Sequence, residues 1–218
     1  PALLRTYDTE RQHGARENIL NSTRATDFMT PKNAVTRLFR DTVLDLARHY
    51  PFARALVNSG RLSVPCTYED TPLNTADSDS FAPTMRPGSA CIDAPVTGGN
   101  GSGWLLNHLG NHFTVMVTGG VNPEQAADLA SLRADLAGDG ALLDVLQIAA
   151  PREADADLTV VEDSQGVLSR RYDLAGGGVY LIRPDQHVAA RWRALDTRAV
   201  AAATRRALGF DLTEEAAA

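Results

Sequence analysis

The sequence has few of the residues that most often mark a redox site. Among its 218 residues it has only two cysteines, Cys66 and Cys91, which are far apart in loop-like stretches. A Cys-x-x-Cys pair is therefore absent, and with it the reactive thiol pair that a disulfide oxidoreductase requires. Whether Cys66 and Cys91 form a disulfide depends on the separation of their Cα atoms, which a sequence does not give, so their pairing stays open.

Lysine is almost absent, since Lys32 is the only one, and the chain is acidic, with a net charge of −6 and a pI near 5.3. Nucleic acids and anionic membranes both require clustered basic side chains, so this balance argues against both kinds of partner. No apolar run approaches the ~20 residues of a membrane-spanning helix, and no signal-peptide pattern opens the chain. We therefore expect a cytoplasmic protein with no nucleic-acid or membrane partner.

The first half of the chain predicts helices followed by a long loop. Apolar residues recur at helical spacing over residues 2–27 and 32–49, with Thr30 as the expected N-cap of the second helix and Pro51 as its end. Residues 51–103 are rich in turn-forming residues and predict a loop. A loop of this length is unusual inside one compact domain, so we place a domain boundary near residue 88, between domains 1–88 and 89–218.

The second half alternates between strand and helix patterns in the order β-α-β-α-β-β-α. A helix joins the first two strands, as a parallel crossover requires, and a tight turn makes the last two a hairpin. This order predicts an α/β domain whose mixed sheet has helices on its faces, which is the order of the thioredoxin fold. The predicted strands are 112–118, 142–149, 179–183 and 188–192, and the predicted helices are 123–137, 165–174 and 197–208.

No motif of this chain completes an active site. The segment Thr118–Gln125 follows the first predicted strand, where a redox-active thioredoxin has its cysteines, and it has none. The run Gly98–Gly103 lacks the strand and helix that would flank a phosphate-binding loop, so we interpret it as a flexible linker. The five histidines show no metal-ligand spacing on one helix face. We therefore predict no catalytic, cofactor-binding or metal-binding residue in this chain.

Several stretches, in the same order along nearly the whole chain, resemble one enzyme family. Leu4–Arg11 resembles an LLDSYxxER helix, Arg86–Pro95 a PGxRAPDAPL segment, and Tyr180–Arg191 an LVRPDGHVAWR hairpin. The chain thus resembles the C-terminal third of class A FAD-dependent aromatic monooxygenases, in the branch of phenol hydroxylase, hydroxyphenylpropionate hydroxylase and polyketide aromatic hydroxylases. The remaining matching stretches are Phe28–Pro31, Phe52–Ser63 and Pro65–Leu73.

The resemblance implies a reaction for the intact protein. In that family NAD(P)H reduces FAD, oxygen forms a flavin hydroperoxide, and one oxygen atom is transferred to a phenolic or polyketide ring. The FAD motifs of the family (GxGxxG, DG and GD) precede the YxxER helix and are absent here, so this chain is expected to bind neither FAD nor NAD(P)H by itself. Tyr7 and Arg11 match the family signature, and we interpret them as packing against the missing flavin domain.

The resemblance also implies partners and an accessory role. The terminal domain of the family is thioredoxin-like, usually redox-silent, and able to contribute to subunit contacts. We therefore expect an upstream FAD-binding catalytic domain as partner and consider a homodimer. Because the chain starts with Pro1 inside a helix-like pattern, we interpret it as a truncated product, although removal of Met before Pro gives the same start.

Two alternatives remain open at this point. The chain can be a stand-alone, non-catalytic module for binding or dimerisation that derives from the same family, or a thiol-redox protein. The second alternative has the least support because it requires a proximal cysteine pair. The aromatic substrate, the choice between NADH and NADPH, and the oligomeric state are not readable from this sequence.

Overall fold

A computed structural model of the protein describes residues 2–57, 65–98, 101–138, 140–149 and 158–210. The chain divides into two compact units. One comprises Pro1–Tyr7 and Thr67–Ala218 and contains a β-sheet, and the other comprises Asp8–Cys66 and is helical. Residues 67–88 thus group with the sheet, and the contact boundary of the chain lies near residue 67.

In the described residues the sheet has seven strands, in the spatial order β2-β1-β5-β4-β3-β6-β7. The pairs β3–β4 and β4–β5 are parallel and the other pairs are antiparallel, so the sheet is mixed. The strands are β1 (Pro95–Gly98), β2 (Gly101–Trp104), β3 (Phe113–Thr118), β4 (Leu143–Ile148), β5 (Thr159–Glu162), β6 (Val179–Ile182) and β7 (Val188–Trp192).

The predicted order is confirmed. Helices α4 (Pro123–Gly138), α5 (Val167–Arg171) and α6 (Thr197–Ala207) alternate with β3, β4, β6 and β7 as the sequence pattern predicts. The interpretation of Gly98–Gly103 as a flexible linker is wrong, because its described ends belong to the antiparallel hairpin of β1 and β2. Strand β5 was not predicted either, since Thr159–Glu162 has only two apolar residues between polar ends and thus shows neither an apolar run nor an alternation.

Both faces of the sheet are covered, which explains why β3 and β6 are almost wholly apolar. Helices α4 and α6 cover one face of the sheet. Helix α5, together with residues 85–94 and 105–109, covers the other. The first core includes Val115, Val117, Leu129, Leu136, Leu143, Leu181, Val200 and Ala203. The second includes Met116, Leu146, Val161, Leu168, Tyr172, Tyr180 and Ile182.

One buried side chain of β3 leads to a stability prediction. Thr114 is 1% exposed, and in the part of the chain that the structure describes its hydroxyl has no hydrogen-bond partner. Thr114→Val keeps the shape and removes this unsatisfied group, so we expect the free energy of unfolding to rise by about 1 kcal/mol in a urea titration. The control is Thr204→Val, because the hydroxyl of Thr204 donates to the carbonyl of Val200 (2.8 Å). Equal effects of both changes would refute this reasoning.

The helical unit contains most of α1 (Ala2–Met29), together with α2 (Ala34–His49) and α3 (Pro51–Val57). The predicted N-cap at Thr30 is wrong. The carboxamide of Asn33 accepts from the N–H of Thr36 (2.9 Å), and the Thr36 hydroxyl accepts from the N–H of Asn33 (3.3 Å), which together form a capping box. The hydroxyl of Thr30 donates instead to the carbonyl of Thr26.

Helix α3 was also missed, since Pro51 was expected to end a helix and instead begins one, where proline is well tolerated. Helices α2 and α3 pack on each other, and Val43 of α2 and Ala53 of α3 are buried.

Candidate functional site

Residues 67–94, here called the strap, precede β1 and contact the free edge of β7 at Thr75, Gly88 and Ser89. An edge strand presents unpaired N–H and C=O groups, which invite pairing with other chains. The strap satisfies these groups. Thr75 N donates to the carbonyl of Ala189 (2.9 Å), Gly88 N donates to that of Val188 (2.7 Å), and Val188 N donates to that of Ser89 (2.9 Å). A cluster of polar side chains is built on this contact.

A buried arginine of β7 holds the first part of the strap. Arg191 is 3% exposed, and its Nε and Nη2 contact the two carboxylate oxygens of Asp77 at 3.0 and 2.7 Å. Its Nη1 donates to the carbonyls of Ala82 (3.2 Å) and Thr84 (2.5 Å). Burial disfavours the charge of Arg191, but hydrogen bonds with Asp77 and Tyr180 and the charge of Asp77 raise the pKa of Arg191 above its ordinary value.

A second arginine, Arg193, follows β7 and contacts the next residues of the strap. Its Nη2 pairs with Asp173 (2.6 Å) and donates to the carbonyl of Ser80 (2.9 Å), while its backbone N–H donates to Asp79 (2.8 Å). The guanidinium carbons of Arg191 and Arg193 lie 4.6 and 3.8 Å from the centroid of the Phe81 ring, a cation–π arrangement. Both guanidinium groups are thus occupied by the protein's own carboxylates, carbonyls and aromatic ring.

The carboxylate of Asp173 is also bound by groups of the protein itself. The N–H of Ala82 donates to its Oδ2 (2.8 Å), and this bond, followed by that of Arg193, lowers the pKa of Asp173 below its ordinary value. The carboxylate therefore remains charged at neutral pH and keeps its pairing with Arg193. We interpret this cluster as a clamp on the strap, because its charges neutralise one another and are not directed at a ligand. The side chains of the clamp are those of Arg191, Arg193, Asp77, Asp173 and Phe81.

The hairpin turn between β6 and β7 is built the same way. Burial opposes the negative charge of Asp185 in this turn. Hydrogen bonding by His187 and the charge of Arg183, whose Nη2 lies 2.8 Å from Asp185 Oδ2, nevertheless lower the pKa of Asp185 to about 2. The His187 ring stacks on Tyr68 of the strap, with 4.7 Å between centroids. Gln186 has a left-handed backbone (φ 63°), and its Nε2 donates to the carbonyl of Leu109 (3.0 Å). These residues fix the turn and the start of the strap.

The junction of β3 and α4 contains the segment Thr118–Gln125, in which the predicted thioredoxin-like order would have required a thiol pair. Here Asn122 and Gln125 form a reciprocal cap, in which Gln125 N donates to Asn122 Oδ1 (2.8 Å) and Asn122 N donates to Gln125 Oε1 (3.1 Å). The buried side chain of Gln147 donates from Nε2 to the carbonyl of Gly119 (2.7 Å). These side chains offer hydrogen bonds and no thiol, so this junction cannot carry disulfide exchange.

Both cysteines are free thiols, which answers the question of their pairing. Cys91 is buried, and this burial raises the pKa of its thiol to about 12. Since the thiolate is the reactive form, Cys91 is unreactive at neutral pH. Cys66 is half-buried. Neither cysteine thus belongs to a redox pair in this fold.

Histidines and acidic residues form no metal site in the described part of the chain, where no group of three or more potential ligands occurs. His112 Nε2 lies 3.0 Å from a carboxylate oxygen of Asp144, which also pairs with Arg133. None of the described helices combines the length and apolar character of a membrane span. Tyr7 and Arg11 are both exposed, and their contact with a flavin domain stays a prediction.

A family model described as the HcaD C-terminal domain matches residues 88–207 of this chain. The chain belongs to the HcaD C-terminal domain family. The matched part of the chain contains the seven described strands of the sheet, Arg191, Arg193 and the last residues of the strap, whereas the strap partners of these arginines, Asp77 to Thr84, precede it. Together with the hydroxylase relatives and the monooxygenase structures described next, this match confirms the resemblance to the C-terminal part of aromatic monooxygenases.

The curated relatives are much longer than this chain. It is 29% identical over 197 residues to 3-(3-hydroxy-phenyl)propionate/3-hydroxycinnamic acid hydroxylase of Mycobacterium sp. (strain JLS), a match that covers 86% of this chain and 33% of that protein. The hydroxylase of the same name from Mycolicibacterium vanbaalenii is 28% identical over 198 residues, with the same coverage. The chain with its HcaD C-terminal domain therefore spans about a third of the length of the curated relatives that it matches.

Solved structures show the same fold. The flavin-dependent monooxygenase PieE, in complex with FAD and substrate, superposes with a TM-score of 0.55 at 21% identity, covering 84% of this chain and 31% of PieE. RebC soaked with K252c superposes with a TM-score of 0.61 at 18% identity, covering 96% of this chain and 36% of RebC. At these identities the likeness establishes the fold of the HcaD C-terminal domain and its neighbouring helices, and nothing about their ligands.

Proposed function

We propose that this chain is the C-terminal portion of an FAD- and NAD(P)H-dependent monooxygenase that hydroxylates a phenolic or polyketide aromatic ring in the cytoplasm. In this proposal the chemistry belongs to an upstream flavin-binding domain. The chain supplies a redox-silent, thioredoxin-like domain and a helical unit, and it acts in assembly. The observation that carries the proposal is the match to hydroxylases over 86% of this chain but only 33% of their length.

The described residues do not fit a flavin site. The glycine-rich segment that could approach a phosphate belongs to the hairpin of β1 and β2, and only a single 3-10 turn, Leu105–His108, follows it directly. The N-terminus of α4 is capped by the chain's own Asn122. The guanidinium groups of Arg191 and Arg193, which could otherwise bind phosphate, are paired with Asp77 and Asp173. We therefore assign no step of the hydroxylation to a residue of this chain.

The clamp supports an accessory role on positive grounds. Carboxylates and cations with shifted pKa values often mark active sites, but structural ion-pair networks shift pKa values as well. Here Asp173 and Arg191 have their charge partners inside the cluster that ties the strap to β7, and Asp185 is paired with Arg183 and His187 within the hairpin turn. The pKa of Asp163 is lowered, against the effect of burial, by hydrogen bonds from the first residues of α5. The cluster thus stabilises the fold of the portion that we propose to be carried by the longer enzyme.

An FAD titration of the purified chain tests the proposal. We expect no saturable quenching of flavin fluorescence and no NADPH oxidation, because the residues that the structure describes form no flavin cradle. The positive control is the hydroxylase of Mycobacterium sp. (strain JLS), purified and titrated in the same way. A yellow one-to-one complex of this chain with FAD that oxidises NADPH would contradict the proposal that the chemistry resides elsewhere.

A further inference from the structure

Helix α2 has an apolar face that points outward. Val35, Leu38 and Phe39 are 76%, 69% and 62% exposed, and Leu46 is 38% exposed. Their spacing of i, i+3, i+4 and i+11 places all four on one side of the helix. We call these four residues the α2 stripe. In a soluble protein such a stripe normally faces the core, so its exposure here requires a reason.

The exposure is not a consequence of poor helix formation. The capping box of Asn33 and Thr36 begins α2 at a defined residue, and the N–H of Tyr50 closes it on the carbonyl of Leu46. The buried Val43 follows Phe39 by four residues and precedes Leu46 by three, so it lies beside the stripe and marks the edge at which α2 packs within the helical unit. The α2 stripe is therefore the uncovered part of the apolar side of a well-formed helix.

The strap, unlike the α2 stripe, is covered by contacts with its own unit. Its polar side chains pair with Arg191 and Arg193, and its backbone pairs with β7, so its contacts are made within the sheet unit. Of the segment 1–88 that was predicted to pack on a missing flavin domain, residues 67–88 thus have their contacts in this chain. The α2 stripe lies in the helical remainder, and there it is exposed.

We propose that the α2 stripe docks on an apolar surface of the flavin-binding portion of the longer protein; this rests on the function proposed above. The chain corresponds to 33% of the length of its hydroxylase relatives, so most of such a protein is available to cover the stripe. A second copy of this chain is the competing occupant, and the net charge of −6 on each copy opposes that association.

Thiol labelling tests this docking without separating the portions of the protein. Leu38→Cys places a thiol in the stripe, and Leu44→Cys is the matched control, since Leu44 is 41% exposed on another side of the same helix. Both are made in a Cys66→Ser background, because Cys66 is half-buried whereas Cys91 is buried with a raised thiol pKa. Maleimide labelling rates are measured in this chain alone and in the longer protein encoded by the same reading frame.

In the isolated chain we expect both thiols to react at similar rates. In the longer protein we expect Leu38→Cys to react at least about 10-fold more slowly at every protein concentration, and Leu44→Cys to react as before, because a docked surface excludes water and reagent. Equal rates for Leu38→Cys in both proteins would overturn the docking. Protection that already appears in the isolated chain and rises with concentration would assign the stripe to a second copy and overturn it as well.

The flavin absorbance and NADPH-dependent hydroxylation of the same longer protein are separate readouts. A protected Leu38→Cys in a protein without flavin would leave the docking intact and refute the proposed function. An active flavoprotein in which Leu38→Cys is unprotected would support the proposed function and refute the docking. A Phe39→Ser variant adds a second probe, with an expected loss of protection at a neighbouring Val35→Cys in the longer protein, and circular dichroism shows whether each variant folds.

Discussion

Gly88→Ala is expected to lower the free energy of unfolding by about 3 kcal/mol, because two separate penalties add at this position. The φ of Gly88 is +88°, a conformation that alanine adopts only with strain. A Cβ at this position would lie 2.2 Å from the carbonyl oxygen and 2.6 Å from the carbonyl carbon of Tyr68. Both are backbone atoms, so no side-chain rotation relieves the contact.

The damage should be local to the strap before it is global. Gly88 N donates to the carbonyl of Val188 (2.7 Å), and the carbonyl of Gly88 accepts from the N–H of Tyr68 (2.9 Å). Moving Gly88 therefore releases both the edge of β7 and the start of the strap. We expect faster proteolysis within residues 67–94 of the variant, together with the lower midpoint of urea unfolding.

The matched control is Gly120→Ala. Gly120 has an ordinary φ, and a Cβ there meets nothing within 4 Å, so the change should alter stability by less than about 0.5 kcal/mol. If both alanine variants unfold at the same urea concentration, the close contact of Gly88 with Tyr68 is not a constraint on this fold.

The central part of the fold was readable from the sequence because its strands are buried on both faces. β3 and β6 are runs of apolar residues, and Gly209, at φ +78°, follows the end of α6 as expected of a terminating glycine. By contrast, β1 and β2 have four residues each, with Gly98, Gly101 and Gly103 among them. Their strand conformation comes from pairing with each other and with β5, which local sequence does not reveal.

The clamp was not predicted, and the reason is distance along the chain. Arg191 and Asp77 are separated by 114 residues, and nothing in either neighbourhood marks them as partners. The one available signal was the resemblance of Tyr180–Arg191 to a family hairpin that also ends in an arginine, and it gave no partner for this side chain. The acidic run Asp77-Ser78-Asp79 was likewise unremarkable by composition, although Asp77 and Asp79 contact two successive arginines of one strand edge.

A sealed edge is consistent with the accessory role that we propose. A domain carried by a larger enzyme must present chosen surfaces and protect the others, and an open edge strand next to an apolar core promotes unwanted pairing. Here the strap covers β7 with matched hydrogen bonds and charges, whereas α2 leaves its apolar stripe outward. From these two features we expect that removal of the strap causes aggregation through the edge of β7. Replacement of the apolar side chains of the α2 stripe should affect only docking on the flavin-binding portion.

Arg191→Met is expected to lower the free energy of unfolding by about 3 kcal/mol, because it leaves a carboxylate without its cation and two carbonyls without their donor. The side chain of Asp77 is 30% exposed, so water recovers part of the loss, and the effect should lie at the lower end for buried pairs. Asp77→Asn should cost less, since the amide still accepts one hydrogen bond from Arg191. The double variant should then be less destabilised than the sum of the two single changes, which a double-mutant cycle in urea measures.

The control for this cycle is the exposed pair of Arg86 and Glu69, whose side chains are 48% and 51% exposed. Arg86→Met should change stability by less than about 1 kcal/mol, because exposed ion pairs contribute little. The cycle on Arg191 and Asp77 should keep most of its coupling at high salt, since the guanidinium is buried, whereas any coupling of Arg86 with Glu69 should vanish. Similar losses for Arg191→Met and Arg86→Met would show that the buried arginine does not hold the strap.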